Sequence, residues 1–257
     1  MAIVLEGGCS VSRMNDGHSV RNGSMLIWNQ IGRDTGAQAI SLRLLEFEHG
    51  VSPVIQNREA DEVFYFLEQI EGVSKASETC LVHIDGKTYE VGSQTGLYLR
   101  PDQTMLVENR NIAPVFFVSV QCPVTTTGEV APAATSSTPA PAFSGVRLAD
   151  KAAIPTADRW YRVLVDDEVG SQQVTQFVGS IPPGRAPDHF HQYEEVLFIL
   201  RGQGRMWAGK TTTSIGPGSC IYLPKGQVHC VENTGTEELR LLGVFYPAGS
   251  PSIRYEV

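Results

Sequence analysis

PDHFHQYEEVLFIL, residues 187–200, places two histidines one residue apart, a glutamate four positions after the second, and then an unbroken apolar run. In a strand, alternate side chains share a face, so His189 and His191 point one way and Phe190 the other. Glu195 rejoins that face after a short turn, and VLFIL continues into a core. A second segment, PKGQVHCVEN (224–233), supplies His229. Three imidazoles and one carboxylate converging inside a β-barrel form a site for a divalent first-row metal.

The rest of the chain has the texture of strands. Short runs rich in Val, Ile, Phe and Tyr, such as LVHIDGKTYEV (81–91), PVFFVSV (114–120), RWYRVLV (159–165) and ELRLLGVFYP (238–247), are bounded by Gly or Pro. The chain holds 25 glycines and 15 prolines, which favours turns over long helices. Only RLADKAAI (147–154) hints at a helical period. The expectation is an all-β protein.

One segment, residues 123–142 (PVTTTGEVAPAATSSTPAPA), is dominated by Pro, Ala, Thr and Ser without apolar periodicity and reads as a linker. It separates residues 1–122 from residues 143–257. These halves resemble each other. ADEVFYFL (60–67) parallels YEEVLFIL (193–200), and VGSQTGLYLRPDQTMLVEN (91–109) parallels IGPGSCIYLPKGQVHCVEN (215–233) without a gap. Two copies of one β module are expected.

With 28 acidic against 20 basic residues, the net charge of −8 argues against nucleic acid or an anionic membrane as the main partner. No run of about 18 apolar residues suggests a membrane span. The start of the chain has neither the basic region nor the apolar length of a signal peptide. Cys9, Cys80, Cys122, Cys220 and Cys230 form no CxxC pair. Free thiols in a cytoplasmic protein are expected.

At this point the sequence resembles the cupin superfamily. GRAPDHFHQYEEVLFILRG (184–202) is similar to the first cupin motif, with four residues instead of the usual five between Gly184 and His189. GSCIYLPKGQVHCVEN (218–233) matches the second motif throughout. The resemblance implies a bicupin, two cupin barrels of the double-stranded β-helix or jelly-roll type in tandem. One divalent transition metal per chain (Fe, Mn, Ni, Co, Cu or Zn) would be held by His189, His191, Glu195 and His229. In the first half Gln56, Arg58 and Met105 stand where the three histidines would be, and only Glu62 has its counterpart. That barrel is read as degenerate and metal-free, with an Arg58–Glu62 pair neutralised inside it. Bicupins often associate through strand edges, so a homodimer or larger homo-oligomer is expected.

Alternation also proposes a pocket wall. Leu197 and Ile199 should share the inward face of Glu195, and Gln227 and Val231 that of His229. Arg185 and Tyr193 are further candidate contacts for a small-molecule substrate. The ligand set resembles that of flavonol dioxygenases (quercetinase-like cupins) and diketone dioxygenases, which implies insertion of dioxygen into an enolisable or aromatic substrate, with Glu195 as ligand and catalytic base. Two alternatives stay open. One is a Lewis-acid isomerase, lyase or hydrolase, for which ureidoglycine aminohydrolases offer the architecture but a different ligand set. The other is a non-catalytic small-molecule-binding cupin.

Overall fold

The structure, a computed structural model, describes residues 2–68, 78–123, 145–253 and, for the backbone alone, 255–256. The expected linker lies, apart from Pro123, outside the described residues. Among these the helical elements are three-residue 3-10 turns, one of which, Leu148–Asp150, takes the place of a helix in RLADKAAI.

The strands build two barrels, each from a large and a small antiparallel sheet. In the first barrel the large sheet runs in the order 145–147, 95–99, 61–66, 115–122, 41–47, 25–31 and 20–22. Its small sheet runs 87–92, 79–84, 104–109 and 50–51, with 55–56 also on 104–109. The second barrel repeats the plan. Its large sheet runs 3–4, 10–13, 219–223, 194–201, 239–246, 175–181, 159–165 and 154–156. Its small sheet runs 211–215, 204–208, 229–233, 189–190 and 255–256, with 184–185 on 229–233.

The two large sheets pack against each other. This explains why VLFIL is apolar throughout, since a strand covered on both faces loses the alternation of a half-exposed one. Leu197 and Ile199 enter the core of the second barrel. Val196 and Phe198 instead join a separate core with Val63, Tyr65 and Val118 from the first barrel and Tyr222 and Val244 from the second. The barrels approach closely there. A Cβ on Gly96 of the first would lie 2.8 Å from Leu164 of the second.

Sheet membership does not follow the boundaries drawn at residues 122 and 143. Ser10–Arg13 pairs with Ser219–Leu223 in the second barrel's sheet, while Gly145–Arg147 pairs with Thr95–Leu99 in the first. The barrels thus exchange edge strands. Composition marked the linker but could not show where the flanking strands dock, because edge pairing is a long-range choice.

The internal repeat is visible in polar contacts as well. Asn109 donates its Nδ2 to the carbonyls of Phe47 and Ala113, and Asn233 does the same to Ile181 and Glu237. Within the first barrel Tyr98 donates to Asp61, and within the second Tyr222 donates in the same way to Glu194. Glu194 also accepts from the backbone N–H groups of Gln38 and Ala39, tying the first half of the chain to the strand that carries Glu195.

Inside the first barrel the expected Arg58–Glu62 pair is not formed. Arg58 sits on an exposed turn, whereas Glu62 is fully buried and pairs with Arg43 at 2.5 Å. Ser119 and Gln121 also donate to Glu62. Arg43 lies on Ser41–Phe47, beside the strand that carries Ser119, so sheet register supplies the cation that sequence proximity suggested wrongly. Met105 is buried in an apolar core, and Phe66 stacks on Phe117 with ring centroids 4.6 Å apart. Gln56 is exposed.

Candidate metal centre

His189 is carried by the two-residue strand His189–Phe190, and registry places it directly opposite His229 on His229–Asn233. His191 follows on the same face. The ring centroids lie 4.5 Å (His189–His229), 4.9 Å (His189–His191) and 5.2 Å (His191–His229) apart. One ligand atom from each imidazole lies within 4.8 Å of the others, so a single ion could be shared.

Hydrogen bonds orient the rings for that task. Nδ1 of His189 faces the carbonyl of Pro187 at 3.0 Å, and Nδ1 of His229 faces that of Gln227 at 2.8 Å. A carbonyl can only accept, so each Nδ1 carries the proton and each Nε2 keeps its lone pair. This is the arrangement in which histidines ligate metals, the outer contact setting tautomer and angle. Burial, reinforced by neighbouring His189, lowers the pKa of His229 to about 3, so its ring is neutral at physiological pH.

Glu195 begins the apolar run of Glu194–Arg201, with Oε2 3.6 Å from Nε2 of His191. It lines the same cavity as the three histidines. Burial raises its pKa to about 8. A buried carboxyl beside three imidazoles is what a cation would convert to a charged ligand, releasing a proton. The donor set therefore fits a divalent transition ion, and its chemistry does not select one.

The cavity measures about 120 Å³. Leu197 and Val231 line it. The other proposed wall residues do not. Ile199 faces inward but lies in the packed core. Gln227 turns away to the chain's first turn, where a Cβ on Gly7 would fall 1.4 Å from its Oε1. Arg185 lies over the Trp207 ring at 4.3 Å, with Nε on Cys230 Sγ and Nη2 on Asp188. Tyr193 is stacked between His191 and Phe245, at 4.7 and 4.3 Å, and so buttresses a histidine from behind. Alternation predicted faces correctly within strands, but Gln227 and Tyr193 lie in loops and Arg185 at a strand end.

The remaining wall comes from strands not assigned to the pocket in the sequence. Tyr161, Phe177, Ile181 and Leu241 supply apolar surface, and Arg159 and Thr156 polar groups. The Phe177 ring lies on Gly243, where a Cβ would sit 2.3 Å from it. The alternation Arg159–Tyr161 in RWYRVLV was the available signal, but it does not say which face is inner. The five cysteines are buried and free, with Cys220 between the barrels and Cys230 on the outer side of its strand beside Arg185. Among the described residues, no helix is long and apolar enough to cross a membrane.

Residues 177–245, which hold all four proposed ligands, match the family model for the Cupin domain. Auxin-binding protein T92 of Nicotiana tabacum is 32% identical over 87 residues, 29% of this chain and 46% of the tobacco protein. The chain thus spans about half the length of that curated relative. Among solved structures, protein Ylba from E. coli superposes with a TM-score of 0.74 at 14% identity, covering 98% of this chain and 96% of that one. A variant of Bacillus subtilis oxalate decarboxylase gives 0.71 at 14% identity, covering 93% and 77%. At these identities the structural likeness establishes the fold alone.

Proposed function

We propose that this chain, a cupin of two barrels, is a metal-dependent dioxygenase acting on a small enolisable or aromatic substrate. The observation that carries the reading is the convergence of His189, His191, His229 and Glu195 on one largely apolar cavity. A divalent ion there would supply Lewis acidity and open positions at which substrate oxygens and dioxygen meet.

The chain's own residues would do the rest. The carbonyls of Pro187 and Gln227 hold two imidazoles in the ligating tautomer. Glu195, buried at the same end of the cavity and ionised once a cation displaces its proton, is placed to take the proton of a substrate hydroxyl. Leu197, Val231, Phe177 and Leu241 keep water from the reacting end. The first barrel supports the second through the shared core and the Glu194 contacts, and assembly into a homodimer in the cytoplasm belongs to the same proposal.

The test is elemental analysis of protein purified without added metal, followed by oxygen-electrode assays on enolisable aromatic compounds. One equivalent of transition metal with substrate-dependent oxygen uptake is expected. Full turnover under strict anaerobiosis would replace this reading with a Lewis-acid isomerase, lyase or hydrolase. The similarity to a protein named as auxin-binding favours one further reading, a non-catalytic binder, which saturable ligand binding without turnover would support.

A further inference from the structure

One charged side chain in the cavity wall has no part in the chemistry above. Arg159 opens the strand Arg159–Val165 and is registered opposite Thr156. Two residues on, Tyr161 is buried in the second barrel's core, so alternation puts Arg159 on the same inner face. Its side chain is 16% exposed. Nε donates to Asp158 at 3.1 Å, but Asp158 is 65% exposed, and water screens its charge. Nη1 and Nη2 make no hydrogen bond among the described residues.

Arg159 and the three histidines line one cavity whose wall also includes the apolar Tyr161, Phe177, Ile181, Leu241 and Val231. Arg159 places a positive charge in the cavity wall, its Asp158 partner being largely solvated, and a divalent ion held by the histidines would add to it. Inside a low-dielectric cavity such a field favours an anion.

Resting on the metal-site reading above, we propose that Arg159 is a specificity-determining residue and that the substrate is a small carboxylic acid. Its carboxylate pairs with Nη1 and Nη2 of Arg159, its apolar body lies along Tyr161 and Phe177, and its oxygen-bearing head reaches the metal. The guanidinium fork matches a carboxylate in a way that a lysine does not.

The test uses zinc-loaded protein, because zinc has no redox chemistry and leaves binding to be read alone. Calorimetric titration compares 3,4-dihydroxybenzoate with its methyl ester and with catechol. The acid is expected to bind about ten- to a hundredfold more tightly than either neutral compound. Arg159→Gln should erase that advantage and Arg159→Lys restore part of it, with zinc content unchanged at one per chain. Equal affinity of acid and ester, an acid advantage that survives Arg159→Gln, or no binding of the acid to zinc-loaded protein would overturn the proposal alone. Failure of the unaltered protein to take up zinc would overturn the metal-site reading with it.

Discussion

The buried carboxyl of Glu195 should destabilise the metal-free protein as pH rises. Its pKa goes from 4.5 when exposed to about 8 in the folded chain. Below about pH 4.5 both states hold the proton, and the group contributes nothing. Above it the unfolded chain ionises while the folded chain does not, so stability falls with pH until the folded pKa is reached. At about 1.36 kcal/mol per unit, the loss is roughly 3 kcal/mol at pH 7 and on the order of 5 kcal/mol above pH 8. Glu195→Gln removes the titration with little change in shape. For a chain of this size, chelator-treated Glu195→Gln should melt about 6–12 °C above the unaltered protein at pH 7. The gap should close toward pH 5. Titration of His229, whose folded pKa is depressed, weakens both proteins equally at low pH and cancels in the difference. Saturating metal should reverse the order, because only the carboxylate ligates well. A melting difference that is independent of pH, or absent at about pH 8 without metal, would refute the argument.

Further expectations follow from the same geometry. His229→Ala and His191→Ala should each abolish both metal retention and turnover, read by elemental analysis and oxygen uptake on the same preparations. Metal affinity should rise about tenfold per pH unit below pH 8, as the ion displaces the Glu195 proton, and proton release measured in weakly buffered titrations checks it. Phe198→Ala, in the core shared by the barrels, should cost about 3–5 kcal/mol in urea unfolding. Asn233→Ala should cost about 2–3 kcal/mol, since it strands the carbonyls of Ile181 and Glu237, with Asn109→Ala matching it in the first barrel.

Much of this protein was legible from its residues. The period-2 pattern, the gapless repeat and the pairing of HxH with a later His on a strand are local properties, and local chemistry determines them. The repeat even anticipated that Asn109 and Asn233 would occupy equivalent positions. What alternation could not supply was the choice of face and partner. Arg43, and not Arg58, neutralises Glu62 because the sheet brings Ser41–Phe47 beside the strand of Ser119. Gln227 leaves the cavity because a loop follows its own contacts and not a strand's period. Arg159 enters the cavity only once its strand is placed in the large sheet. The exchange of Ser10–Arg13 and Gly145–Arg147 between barrels was likewise set by long-range edge pairing. The fold class and the residues able to hold a metal could be read from the chain, because both depend on spacing along one or two strands. The tertiary structure alone decided the cavity wall and the charge within it, because those depend on which strands, far apart in the chain, come to face one another.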